Sequence, residues 1–212
     1  WSYFFESGTM RSEGILSNNK KAGEWSYFYE NGNLKRKGTY DNELKVDTWE
    51  YFYEDGAVKA IAFFKEGSGN YQEYYVSGQL KMQGLNRLGK SDSLWTYHYD
   101  SGEKMAEGYY KAGLKNGPWK YFYKSGQLSA IGGYEDGRTL GNWIYYHPDG
   151  SKSAEGLQKN NVKDGYWKMF YETGETKGVG EFDQGTGIYK EYYVSGKLKV
   201  IGQFKSDLNH GN

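Results

Sequence analysis

The stretch "WSYFYENGNLKRKGTY", residues 25–40, decides the fold: five aromatic rings, an Asn-Gly and a second Gly fall within sixteen residues. An Asn-Gly between aromatic runs is a strong β-hairpin signal. The same arrangement returns along the whole chain. Units begin at Trp1, Trp25, Trp49, Tyr71, Trp95, Trp119, Trp143, Trp167 and Tyr189, and all seven Trp share this phase. Seven units have 24 residues and two, from Trp49 and Trp167, have 22, which accounts for all 212 residues as nine whole units. Each shorter unit is followed by one led by Tyr instead of Trp.

The eighth residue of every unit is Gly, and the fourteenth is Gly in all but one, where Ala62 stands. The residue before the first Gly is Ser or Thr in six units. These side chains tolerate positive φ poorly, so a two-residue type I′ turn is disfavoured. A type I turn followed by a left-handed Gly in a bulge fits better. That loop predicts Phe28 opposite Leu34 and Tyr27 opposite Lys35. One face would then collect Phe28, Leu34, Arg36, Gly38 and Tyr40, and the other Trp25, Tyr27, Tyr29, Lys35 and Lys37. A type I′ turn would instead slip the pairing by one and set Trp25 across from Gly38. The segments "KAGE" (21–24), "KNGP" (115–118) and "KDGY" (163–166) read as turns between hairpins. "GNYQEYYVSGQLK" (69–81) and "GIYKEYYVSGKLK" (187–199) echo one another at an offset of 118 residues, which a shared local kink at the shortened linker or a duplication of a five-hairpin block explains equally well.

Composition agrees. Aromatics make up 19% of the chain, about half of its 37% hydrophobic content, so rings and not branched aliphatics must form the core. With zero net charge and 23 Tyr the chain does not look disordered. Thirty-one Gly and two Pro favour tight turns and uninterrupted strands. Ordering a hairpin costs about 1–2 kcal/mol per residue in backbone entropy, and the few large side chains of one unit return only about 1.5–3 kcal/mol each. Single units therefore cannot stand alone and must stack. The expected fold is all-β, an elongated solenoid of nine stacked antiparallel β-hairpins forming one twisted sheet, with residues 1–212 as a single repeat array.

The balanced charge argues against nucleic acid, whose binders are usually basic. Zero Cys removes disulfides and thiolate chemistry without fixing the compartment. No apolar run approaches bilayer length. The chain begins with Trp1 and not Met, so a preceding segment is expected to have been lost or removed, and Asn212 ends in phase, so repeats or a cap are expected to follow.

The unit W-x-Y-F-Y-E-N-G-x-L-K-x-x-G-x-Y resembles the MORN-repeat variant common in bacterial proteins, often labelled antitoxin-like. The resemblance covers all nine units and implies stacked β-hairpins and a binding role, with no catalytic residues to carry over. Some MORN proteins bind membranes or phosphoinositides. The aromatic–glycine repeats of choline- and glucan-binding wall proteins are a second likeness. Their Gly-to-Gly spacing is one residue shorter, and the Trp that follows their second Gly has no counterpart here.

His98 and His147 occupy places that hold Phe or Tyr in other units, and His210 lies in a linker; none forms a metal-binding spacing. Glu6, Glu30, Glu54 and Glu172 recur beside the hairpin loop and read as solvated turn residues. No enzymatic activity, cofactor or metal is expected. Arg11, Lys35, Lys59, Lys81, Lys177 and Lys199 share the eleventh place. A basic stripe there either discourages edge aggregation or joins the third-place tyrosines in a groove for an extended acidic or aromatic partner. The candidate partner-binding residues are accordingly Tyr27, Lys35, Tyr51, Lys59, Lys81, Tyr97 and Tyr121. The expected partner is a protein or extended peptide, in preference to a glycan or membrane surface.

Overall fold

A computed structural model of the chain describes residues 1–205, so His210 lies outside the described residues. The chain forms two compact units, Trp1–Glu103 and Lys104–Asn212. The first holds β1 (Ser2–Phe4), β2 (Met10–Ser17), β3 (Lys20–Phe28), β4 (Leu34–Asp41), β5 (Leu44–Phe52), β6 (Val58–Lys65), β7 (Ser68–Tyr74), β8 (Leu80–Arg87) and β9 (Lys90–His98). The second holds β10 (Lys104–Lys111), β11 (Leu114–Phe122), β12 (Leu128–Glu135), β13 (Arg138–Tyr146), β14 (Lys152–Lys159), β15 (Val162–Phe170), β16 (Thr176–Asp183), β17 (Thr186–Tyr192) and β18 (Leu198–Phe204). Within each unit every strand pairs antiparallel with the next in sequence. The described residues contain no helix. The all-β hairpin repeat read from the sequence is thus the observed fold.

The hairpin loop has the expected form. Gly32 has φ 88° and its N–H donates to Tyr29 O at 3.0 Å, while Tyr29 N–H donates to Asn33 O at 2.8 Å. That is a type I turn closed by a left-handed Gly. The register beyond it is not the expected one. Phe28 does face Leu34, but Tyr27 faces Arg36 and Trp25 faces Gly38. A second bulge leaves Lys35 without a partner across the strand. One extra residue reverses the facing of everything after it. Arg36, Gly38 and Tyr40 therefore share the face of Trp25 and Tyr27, contrary to the sequence-based assignment.

The opposite ends of the strands also correct the reading. "KAGE", "KNGP" and "KDGY" lie wholly inside β3, β11 and β15 and are not turns. The turns fall earlier, at pairs such as Asn18–Asn19 and Asn42–Glu43, where both residues have positive φ, as a type I′ turn requires. Gly23, with φ 65°, instead marks a bulge inside β3: Gly14 pairs with Trp25 and Ile15 with Ala22, so Gly23 and Glu24 are the two surplus residues.

This bulge explains the two unit lengths. Across β6–β7 and β16–β17, the links of the 22-residue units, the ladder runs without a register shift. The missing two residues are the bulge itself. Those two places share a plain ladder and not a kink. The bulge also explains why Trp follows a long unit and Tyr a short one. It leaves a carbonyl out of the ladder, and the indole N–H takes it: Trp25 donates to Ile15 O at 3.0 Å, Trp49 to Thr39 O at 3.0 Å and Trp167 to Leu157 O at 2.7 Å. Tyr71 and Tyr189 follow unbulged links and have no indole N–H to place.

Each of these Trp rings lies flat on the fourteenth-place Gly of the preceding unit. A Cβ built on Gly14, Gly38, Gly108 or Gly156 would overlap the indole of Trp25, Trp49, Trp119 or Trp167. Ala62 is tolerated because it faces Tyr71. Trp25, Trp49, Trp119 and Trp167 are the largest fully buried side chains. In the first unit Trp25 and Trp49 join Tyr40, Ala62 and Phe64 in the core, and in the second Trp143 and Trp167 pack with Ala130 and Phe182.

Two outcomes test this account. Trp119→Ala should cost about 3–5 kcal/mol of unfolding free energy, measured by urea titration. Deleting Gly23 and Glu24 should destabilise the chain by leaving the Trp25 indole without its carbonyl. Adding Trp25→Tyr to that deletion should recover part of the loss in melting temperature, since it rebuilds a 22-residue link.

Candidate binding face

On the core-side face of the first unit, cross-strand pairing lines up Tyr3, Ser12, Tyr27, Arg36, Tyr51, Ala60, Glu73, Met82 and Tyr97 in one row. The tyrosines bridge over the residues between them to reach the neighbouring Trp rings. Trp25–Tyr27, Tyr27–Trp49 and Trp49–Tyr51 centroids lie 5.9, 6.5 and 6.3 Å apart. These spacings suit offset and tilted aromatic pairs.

Lysines from the start of alternate strands reach over this ring ladder. Lys21 Nζ lies 4.9 Å from the Trp25 ring centroid and 5.2 Å from that of Tyr40, and donates to the Tyr27 hydroxyl at 2.9 Å. Lys45 Nζ lies 4.6 Å from Trp49 and donates to the Tyr51 hydroxyl at 2.7 Å. Arg36 stacks its guanidinium 4.1 Å from the Tyr27 centroid. Ring quadrupoles partly replace the lost hydration of these cations. None of the three has a carboxylate partner among the described residues, and Arg36 Nε is buried without a hydrogen bond. The nearby Glu43 carboxylate accepts the backbone N–H of Lys21 at 2.6 Å. Burial, then repulsion from Arg36 and Lys21, pushes Lys45 down to about 8. Burial is the main cause that raises Tyr40 and Tyr51 to about 12.

The second unit repeats the device with Lys115, 4.1 Å from Trp119 and bonded to Tyr121 at 2.9 Å, and with Lys163, 4.9 Å from Trp167. Its cross-strand row, however, carries Ala106, Ala130, Ala154 and Gly178 between the larger residues, with no Arg. Glu73 is buried in the first unit, where it accepts from Tyr71 at 2.9 Å and pairs with Lys81 at 2.9 Å.

The candidate residues from the sequence divide accordingly. Tyr27 and Tyr51 join Lys21, Arg36 and Lys45, while Tyr97 packs on Trp95 at 6.4 Å and Tyr121 belongs to the second unit. Lys35 and Lys59 turn to the loop end, 4.9 Å from the Tyr29 ring and 5.6 Å from that of Tyr53, and Lys81 is held by Glu73. The expected Tyr27–Lys35 pairing does not form, because the bulge gives that place to Arg36. Sequence reading missed Arg36, Lys21 and Lys45. Arg36 had a signal: the twelfth place is small in most units, as at Ser12, Ala60 and Ala106, and Arg there is an outlier. Lys21 recurs with Lys115 and Lys163 in the segments read as turns, and Lys45 holds the same place in its own unit.

The fifth-place rings form a separate seam. Tyr29, Tyr53 and Tyr171 donate to Phe52 O, Tyr74 O and Tyr192 O at 2.7–2.8 Å. His147 occupies the same slot, its Nε2 3.0 Å from Phe170 O. It fills an aromatic place, as its position in the repeat implies. Among the described residues no cluster of three His, Asp or Glu could hold a metal ion.

The model of the MORN repeat variant matches residues 21–42, 48–66, 115–136, 163–184 and 186–206, together half of the chain. The chain belongs to the MORN repeat variant family. Its matched segments begin near the bulge and run through the Trp-led strand and the next hairpin arm, or their shorter counterparts. Family and fold together describe a repeat-built binding scaffold. No curated protein matches the chain. Among solved structures, the crystal structure of TcdB2-TccC3-Cdc42 aligns over 95% of this MORN chain at 8% identity and TM-score 0.21. The crystal structure of TcdB2-TccC3-TEV aligns over 95% at 14% identity and TM-score 0.23. The chain spans 13% of the length of each.

The lowered Lys45 and raised tyrosines set a pH dependence with a definite sign. Between about 8 and 10.5 the unfolded chain holds a proton on Lys45 that the folded chain has released, so stability rises with pH there. Above 10 the sign reverses, because unfolded tyrosines ionise while Tyr40 and Tyr51 stay neutral up to about 12. Urea titrations should show stability climbing by about 1–2 kcal/mol from pH 7.5 to 10, after discounting for solvent screening of a partly exposed group, and then falling. Lys45→Met should reduce the climb, leaving the part that comes from Lys115 and Lys163, which burial also lowers, and should leave the fall unchanged.

Proposed function

We propose that this chain is a non-enzymatic protein-binding scaffold and that the ring face of its first unit takes an extended acidic segment of a partner. The observation that carries the reading is the set Lys21, Arg36 and Lys45, held over aromatic rings with no carboxylate among the described residues to neutralise them. Holding three like charges close together on a half-buried face costs stability, which an incoming carboxylate would return. Cross-strand rows present such groups at regular spacing, suited to an extended chain whose side chains also alternate. Sugar stacking needs free ring faces, and Trp25, Tyr27, Trp49 and Tyr51 are committed to one another. An antitoxin-like role would be one use of such a face.

The test is titration of the full chain with an octapeptide alternating Glu and Tyr, against the same peptide with Lys for Glu, at two salt concentrations. The acidic peptide should bind more tightly, and its affinity should fall as salt rises. Arg36→Gln with Lys45→Gln should weaken it by about tenfold or more, whereas Lys35→Glu with Lys59→Glu, away from the row, should change it by about threefold at most. Equal binding of both peptides, or an unchanged affinity in the Arg36/Lys45 variant, rejects the reading.

A further inference from the structure

A half-open cavity of about 430 Å³ lies over the ring face of the first unit, walled by Tyr40, Phe64, Tyr71 and Leu88 and reached by Lys45. The repeats show why it is there. The sixteenth place of a unit usually holds a ring, as at Tyr40, Phe64, Tyr110, Tyr134, Phe182 and Phe204, but after the first short link it holds Asn86. At the corresponding link in the second unit, Phe204 packs edge-on against Phe182, with centroids 5.8 Å apart and Lys163 Nζ 5.9 Å from the Phe204 ring. The first unit keeps the counterparts Phe64 and Lys45, with Lys45 Nζ 5.5 Å from the Phe64 ring, and lacks the third member. The chain cannot fill the gap from the adjacent strand. Gly69 stands where longer units carry Lys21 or Lys45, and a Cβ there would overlap the Phe63 carbonyl.

From this we infer that the cavity receives an aromatic side chain, Phe or Tyr, of the acidic segment proposed above, on which the inference rests. The missing piece is a flat ring that packs edge-on against Phe64 beside a lysine ammonium. The ring quadrupole favours both contacts. Asn86 adds a polar edge: its Oδ1 accepts the Gly89 N–H at 2.9 Å, which leaves its amide nitrogen to donate to a phenol oxygen or a peptide carbonyl. Glu43, at the rim, is engaged by the Lys21 backbone N–H. An aromatic anchor in a pocket ringed by weaker polar contacts is the usual source of affinity in such an interface.

The experiment compares an acidic peptide carrying one central Tyr with the same peptide carrying Leu, on the full chain and on Asn86→Phe. The Tyr peptide should bind the unaltered chain about tenfold more tightly. Asn86→Phe rebuilds the arrangement of the second unit, so it should hold or raise the melting temperature while reducing the Tyr peptide to the affinity of the Leu peptide. Equal affinity of the two peptides for the unaltered chain overturns the inference and leaves the acidic-segment reading standing, a comparison that does not depend on how the variant folds. Retention of the tenfold preference in a folded Asn86→Phe variant also overturns it. Failure of both peptides to bind removes this inference and the acidic-segment reading together.

Discussion

An indole ring lying flat on a glycine needs two provisions from its neighbours: a backbone without a Cβ beneath it, and an acceptor for its N–H at the end of the ring. Both come from the preceding unit. The fourteenth-place Gly supplies the bare backbone, and the two-residue bulge supplies the carbonyl, as in the Trp25–Gly14–Ile15 and Trp49–Gly38–Thr39 sets. The contact is therefore always between successive units and never within one. This is why a single hairpin has no core of its own and why the sequence must repeat. Where the bulge is absent, the indole has no carbonyl to take, and Tyr71 or Tyr189 replaces it. Trp143 is the exception on the polar side, with its indole N–H buried and unpaired.

The same constraint organises the binding face. Once Trp occupies the glycine, the third-place Tyr packs against it, and a small residue must sit opposite that Tyr so the next ring can reach across. Arg36 breaks this rule. It fits only because its guanidinium is planar and can stack on Tyr27 as a ring would. Lys21 and Lys45 run their apolar stems along the same rings, with their ammonium groups bonded to tyrosine hydroxyls. Charge enters the ring ladder of the first unit without breaking its packing. In the second unit the row keeps small residues at the twelfth place, and no such concentration of cations arises among its described residues.

Much of this was legible in the amino-acid order. Nine repeats, the all-β hairpin fold, the type I loop closed by a left-handed Gly and the structural use of Trp119 and His147 all follow from a pattern that one chain states several times. Each repeat faces the same steric problem, so turn chemistry and ring placement must recur. Even the pairing of short units with Tyr was visible, although not its reason.

What the sequence could not decide was the register beyond the loop. A β-strand alternates faces with every residue, so one bulged residue at Lys35 moves Arg36, Gly38 and Tyr40 to the opposite side. Bulges leave no residue-specific signature at that place, because any side chain can occupy one. The gathering of Lys21, Arg36 and Lys45 over one set of rings, and the gap beside Phe64 left by Asn86, depend on that choice and on contacts between strands far apart in the chain. Local chemistry settled which elements form; the count of residues across each ladder, fixed only when neighbouring strands pack, settled which side chains meet.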